Sequence, residues 1–348
     1  MISKDNILEK RKSMKKSIIR IIAAMLMLLV LLSSCGPAID ENDSGSTDVP
    51  TTEAETNGDT SEPVVKENKK ILMIGNSFCY YFVEELYAIA AADGYDLTVA
   101  NLYKTGCLVS EHWTQGVSQK KEMYELWVTT SSGRKQISAA TTFDFALDYA
   151  EWDVITLQQH FYPDLAKDAS RSVSQTKTYA KNLFNYIKNK NSDADLYWQQ
   201  TWAYQVGYAV AGNYVSDPKV DTPIADVATQ TLTHNNIKNA SQIIAQENNV
   251  KLVPSGDAWQ IVRADSRVGD NMCARLGTNG DKGDYYHDGD IGGGQYLNAC
   301  VWYEVLTGES CVGNTWRPNY ELGDAKITAL QEAAHAAVAA VYGADWAK

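Results

Sequence analysis

Between residues 70 and 254 the chain alternates short apolar runs with longer stretches of helical spacing, and that alternation limits the folds open to it. The runs are Lys70–Ile74, Leu97–Ala100, Asp153–Leu157, Asp195–Trp198 and Lys251–Pro254. Each is too short for a helix and reads as a buried strand. Between them, Tyr80–Ala92 places Phe82, Leu86, Ile89 and Ala90 on one face, and helical patterns recur over 172–188 and 225–247. Strands that alternate with helices form a parallel sheet covered on both faces. The expected fold is therefore α/β, a three-layer α/β/α sandwich around a mostly parallel sheet. In such sheets ligands bind outside the carboxyl ends of the strands. The segment 127–142 fits this pattern poorly and reads as an insertion or a small hairpin.

The N-terminal part has a different character. Lys10, Arg11, Lys12, Lys15, Lys16 and Arg20 precede an apolar run from Ile21 to Leu32. Basic, then apolar, then small is the order of an export signal. The run is about a dozen residues, short of the roughly 20 that span a bilayer. Leu32-Ser33-Ser34-Cys35 resembles the bacterial lipobox, in which the cysteine is acylated and becomes the new N-terminus. Residues 1–34 are thus expected to be a lipoprotein signal peptide and Cys35 the lipid attachment site. Residues 35–69 are rich in Asp, Glu, Ser, Thr and Pro, with few large apolar side chains to offset ordering entropy. They read as an acidic tether, and 70–348 as one domain. The expected location is exported and membrane-anchored, at the cell surface or in the periplasm.

The whole chain carries 31 basic and 43 acidic residues, a formal charge of −12. Residues 1–34 hold seven of the basic and two of the acidic ones, leaving 24 against 41, or −17. Such a surface repels nucleic acid and anionic lipid, so the membrane contact falls to the acyl anchor. Five cysteines remain beyond Cys35: Cys79, Cys107, Cys273, Cys300 and Cys311. An odd number in an exported chain leaves at least one thiol or an unusual pairing. Cys300 and Cys311 flank a predicted helix end and are able to bridge, which the sequence alone does not decide. There is no zinc spacing, and the acidic run Asp281 to Asp290 lacks the EF-hand register, so no metal or cofactor is expected.

The chemistry concentrates at predicted strand ends. Gly75-Asn76-Ser77-Phe78 sits directly after the first strand and before a helix. Cys79 stands where the nucleophile elbow of α/β-hydrolases has its second glycine. Far downstream, Asp284-Tyr285-Tyr286-His287 places a carboxylate three residues before a histidine, a spacing that lets Asp284 orient the imidazole toward a serine. A helix start follows at Gly292-Gly293-Gly294-Gln295-Tyr296. These two blocks, with Thr105-Gly106-Cys107 after the second strand, resemble the SGNH/GDSL hydrolases, over roughly residues 70–308. Asn76 replaces that family's usual aspartate. Its third block, normally Gly-x-Asn-Asp, is here Leu157-Gln158-Gln159-His160.

The resemblance implies a flavodoxin-like fold and metal-free ester hydrolysis. It assigns Ser77 as nucleophile, His287 as base, Asp284 as its orienting partner, and Gly106 as an oxyanion donor. A glutamine amide serves as third donor. Strand alternation admits one of Gln158 and Gln159 to the site, and Gln159 is the expected one. His160 is the rival base and His112 a substrate contact. A Cys79 nucleophile is the weaker alternative, since small buried cysteines usually pack in the core; His234 and His335 are expected to have no role. Nine Trp and twenty Tyr offer rings for stacking on sugars. The expected partner is an ester-bearing small molecule or glycan, and the activity removal of acyl groups from a carbohydrate or other ester. A surface glycan-binding lipoprotein without turnover is the alternative from another class.

Overall fold

A computed structural model describes residues 66–159, 169–206, 224–269, 292–319 and 322–347. Their strands form one seven-stranded sheet in the order β4-β3-β2-β1-β5-β6-β7. These are β1 Lys70–Gly75, β2 Thr98–Tyr103, β3 Tyr124–Thr130, β4 Gly133–Thr141, β5 Val154–Gln158, β6 Asp195–Gln199 and β7 Lys251–Val253. The five expected strands are all present. They run parallel, with Ile71 opposite Val99 and Val154, Thr156 opposite Tyr197, and Trp198 opposite Leu252. The segment that fitted poorly is an antiparallel hairpin, β3–β4, which extends the sheet beyond β2 through Asn101 opposite Trp127. Tyr124, Leu126 and Val128 alternate inward on β3, whereas β4 is an edge strand exposed along most of its length. An edge strand needs no second apolar face, so its polar composition departs from the buried-strand pattern, and of the two readings of 127–142 the small hairpin is the one present.

Burial of β1 on both faces follows from its apolar run, and alternation sends its side chains to two cores. Ile71 and Met73 join one, with α1 (Val83–Ala92), α5 (Ser255–Arg263), α6 (Gly294–Thr307) and α7 (Asp324–Tyr342). Leu72 and Ile74 join the other, with α2 (Phe143–Asp148) and α3 (Ala169–Lys190). Helix α4 (Val227–Asn248) gives Ile237 to the first core and Ile244 to the second. Phe82, Leu86, Ile89 and Ala90 are buried together as their spacing predicts. The helix starts only at Val83, because Ser77–Cys79 form a separate 3₁₀ turn. Trp202 and Trp259 stack with centroids 4.7 Å apart and planes 3° apart, and Trp259 Nε1 donates to Asn298 Oδ1 at 3.1 Å.

Where β6 and β7 end, a buried carboxylate ties three elements together. Asp257 Oδ1 lies 3.2 Å from His234 Nε2 and accepts from Gln200 Nε2 at 3.0 Å. Its Oδ2 pairs with Lys238 Nζ at 3.0 Å. Burial works to raise the Asp257 pKa, yet the hydrogen bonds from His234, Gln200 and Lys238 prevail and hold it below the usual carboxylate range. Gly256 makes the approach possible: a Cβ there would meet the Thr201 carbonyl at 2.2 Å.

Two stability measurements check this packing. Trp259→Ala should cost about 3–5 kcal/mol in denaturant unfolding, the range for deleting a buried aromatic, and Trp259→Phe should cost less. Because the folded pKa of Asp257 is depressed, its contribution is complete above about pH 4 and is lost as pH falls through the folded value. Asp257→Asn should therefore destabilise by about 3 kcal/mol at neutral pH, and the gap to the native chain should narrow on acidification. A gap that stays constant with pH would remove the charge pairing from the account.

Candidate active site

The parallel strands lie in the order β2-β1-β5-β6-β7, so connections leave β1 and β5 in opposite directions, the switch point where sheets of this kind place their ligands. The Gly75-Asn76-Ser77 turn occupies that place. Asn76 is fully enclosed and extended. Its Oδ1 accepts from the Phe78 N–H at 3.1 Å and from Gln158 Nε2 at 2.8 Å, and its Nδ2 donates to the Cys107 carbonyl at 3.0 Å. One carboxamide thus joins the ends of β1, β2 and β5. Gly75 allows it, since a Cβ would sit 2.4 Å from Gln158 Nε2.

Ser77 opens the 3₁₀ turn and is 6% exposed. Behind it, Phe78 packs on Trp202 with centroids 4.6 Å apart, and its carbonyl accepts from Gln199 Nε2 at 3.1 Å. Cys79 is fully buried, with its carbonyl held by Asn101 Nδ2 at 2.7 Å. Burial pushes its thiol pKa up to about 12, against smaller opposing effects of Arg134 and local hydrogen bonds. A thiol held protonated is a poor nucleophile.

The second loop is built on the same ladder. The Lys104 N–H donates to the Gly75 carbonyl at 3.1 Å, and the Cys107 N–H closes a turn on the Lys104 carbonyl at 3.2 Å. Gly106 sits in that turn at φ +60°, where a side chain would be strained. Among the described residues, the Ser77 and Gly106 N–H groups have no acceptor. Free amides of this kind can receive an oxyanion.

Both glutamines of the third loop reach the first two loops, contrary to the alternation argument. Gln158 is the last residue of β5 and is buried against Asn76. Gln159 already belongs to the loop, where alternation no longer applies. Its Oε1 accepts from the Val109 N–H at 3.0 Å, and its Nε2 donates to Thr176 Oγ1 at 3.4 Å. The Gln159 carbonyl also receives Thr201 Oγ1 at 3.5 Å, which brings in the end of β6.

Asp284, His287, His160 and Cys35 lie outside the described residues. Three histidines lie within them. His112 is fully enclosed, not open to substrate: Nδ1 lies 3.0 Å from Tyr124 Oη and 3.6 Å from Cys107 Sγ. Burial, with a smaller effect from Lys104, pushes its pKa down to about 3, so the ring is neutral. His234 pairs with Asp257 as described, and His335 faces the buried Glu304. Sequence reading missed the linking role of Asn76 and the His234–Asp257 pair. The glycine of Pro254-Ser255-Gly256-Asp257, directly after a strand, was the available signal for the second. Nothing local signals the partners of Asn76, which come from residues 31 and 82 positions away.

Comparison with solved structures gives a similarity to a DUF4886 family protein from Bacteroides uniformis at 26% identity and a TM-score of 0.63. The match covers 80% of this chain and 96% of that one. A protein of Parabacteroides merdae described as a GDSL-like lipase matches at 14% identity and a TM-score of 0.38, over 70% of this chain and 97% of its own. Phospholipase A1 from Streptomyces albidoflavus matches at 12% and 0.34, over 68% and 98%. The last two similarities are too distant to bear on function. No curated protein matches the chain. The family model for DUF4886, a domain of unknown function, matches residues 70–337, and the chain belongs to that family.

Proposed function

We propose that the protein is a serine esterase of SGNH/GDSL type, anchored outside the cytoplasm by a lipid on Cys35, that removes acyl groups from a carbohydrate or other ester. The observation that carries this reading is the turn at the end of β1. Ser77 stands there at the switch point of the sheet, its own N–H and that of Gly106 without an acceptor among the described residues, in a conformation fixed by Asn76. Asp284 and His287 enter through their sequence spacing.

In the proposed reaction His287 takes the proton of Ser77 Oγ, which attacks the ester carbonyl. The N–H groups of Ser77 and Gly106 receive the oxyanion, and the second N–H of the Gln159 amide is the third donor. Asp284 orients His287, which then protonates the departing alcohol. Water, deprotonated by the same imidazole, releases the acid and restores Ser77. Asn76 and Gln158 are positioning residues in this scheme. A glycan-binding lipoprotein without turnover is the second reading. It is favoured by one feature, the engagement of both ends of the Gln159 amide by Val109 and Thr176.

A fluorophosphonate probe separates the readings. It should label Ser77, and Ser77→Ala should lose both labelling and ester turnover while keeping its melting temperature. Gln159→Ala should lower kcat by about 10²–10³, the usual effect of losing one oxyanion donor. His287→Ala should lose more, and Asp284→Asn less than His287→Ala. A native chain that binds glycans but neither reacts with the probe nor turns over any ester would establish the binding protein instead.

The anchor is tested separately. Native protein should partition into detergent, and Cys35→Ser should move to the aqueous phase, because each buried CH₂ of an acyl chain contributes about 0.8 kcal/mol. Retention of the Cys35→Ser chain in detergent would exclude the lipobox.

A further inference from the structure

A second enclosed cluster of reactive side chains lies near the end of α6, distinct from the strand-end loops. Cys300 and Glu304 are one helical turn apart and both fully buried. The helix stops at Thr307, and Gly308 takes a left-handed conformation at φ +71° that turns the chain back. On its return the Cys311 N–H donates to Glu304 Oε1 at 2.8 Å, and Ser310 Oγ donates to the same oxygen at 3.4 Å. From α7, His335 Nδ1 lies 3.3 Å from both carboxylate oxygens. These bonds fix the return path and set Cys311 against the stretch of α6 that carries Cys300 and Glu304, with both cysteines fully buried in the same core. The Cys311 thiol also donates to the Gln331 carbonyl of α7 at 3.5 Å. The other described cysteines are held elsewhere, Cys79 at the Asn76 carbonyl and Cys107 beside His112 in the opposite core.

We propose that Cys300 and Cys311 are a cross-linking site, oxidised to a disulfide in the exported protein, that staples the end of α6 to the strap leading into α7. A disulfide needs Cα atoms roughly 4.4–6.8 Å apart, and the bond from the Cys311 N–H to Glu304 holds the strap against the α6 segment that carries Cys300. The oxidant is a disulfide carrier, such as oxidised glutathione or a thiol oxidoreductase. One cysteine thiolate attacks the carrier's disulfide and expels one thiolate, and the second cysteine then displaces the other. One S–S bond forms and one breaks, two protons leave the cysteines, and the two electrons end on the carrier as two thiols. Burial is the main cause that raises the Cys311 thiol pKa in the finished fold, with Cys300 and Glu304 adding to it. Exchange therefore belongs to folding, before the pair is enclosed. The proposal does not depend on the role of Ser77.

The test uses the full chain, exported with its own leader or refolded in a glutathione redox buffer. After acid quenching and alkylation, cleavage following Glu304 and Glu309 separates Cys300 from Cys311 in the backbone. The expected product is a pair of peptides joined only through sulfur, which separates on reduction. The reduced native protein should melt roughly 5–10 °C lower, as for a disulfide closing a short loop. The melting temperature of Cys311→Ser should not respond to reductant. Recovery of both cysteines fully alkylated from the oxidised protein, or of either joined to Cys273 or another cysteine, would overturn the proposal.

Discussion

The carboxamide of Asn76 is the constraint on which the strand-end architecture depends. It is fully enclosed and makes three hydrogen bonds, to the Phe78 amide, to Gln158 and to the Cys107 carbonyl. Each bond joins a different segment, so the group determines how the ends of β1, β2 and β5 meet. An ionised aspartate could accept the first two but could not donate to Cys107. Losing a partner would leave buried polar groups unmet, at about 1–3 kcal/mol each. Asparagine at this position is thus matched to its surroundings. Gln158, one methylene longer than an asparagine, spans from β5 to reach it.

The same chemistry continues along the sheet. Gln199 holds the Phe78 carbonyl, Gln200 meets Asp257, Asn101 holds the Cys79 carbonyl, and Asn298 receives the Trp259 indole. Carboxamides both donate and accept without the desolvation cost of an ion, which suits loops that must be buried and rigid. Among the described residues a buried ion also enters where Asp257 meets Lys238, and there Lys238 remains partly exposed. The apolar layers beneath supply the platform: Phe78, Trp202 and Trp259 form a continuous aromatic support behind the Ser77 turn.

The two histidine–carboxylate pairs among the described residues show how little a histidine's sequence context reveals. His234 lies on a long polar helix and His335 in an alanine-rich one, and neither context suggests a partner. Both nevertheless face buried carboxylates, Asp257 and Glu304. At the first pair Gly256, next to Asp257, permits the close approach to the Thr201 carbonyl.

The α/β class, the five parallel strands and the faces of their helices follow from the sequence, because local hydrophobic period reports burial directly. Lys70–Ile74, Asp153–Leu157 and Asp195–Trp198 are buried on both sides, and such runs are visible one residue at a time. The placing of Ser77 and Gly106 at strand ends follows by the same route. The β3–β4 hairpin was legible only as one of two readings of 127–142, since an edge strand carries polar side chains and shows no buried period. Not legible were the pairing of Gln158 with Asn76, the enclosure of His112 and the partner of Asp257. Those depend on distances between segments that are 12 to 82 residues apart. Sequence spacing carries no information about such distances until the sheet has closed and brought the strand ends together.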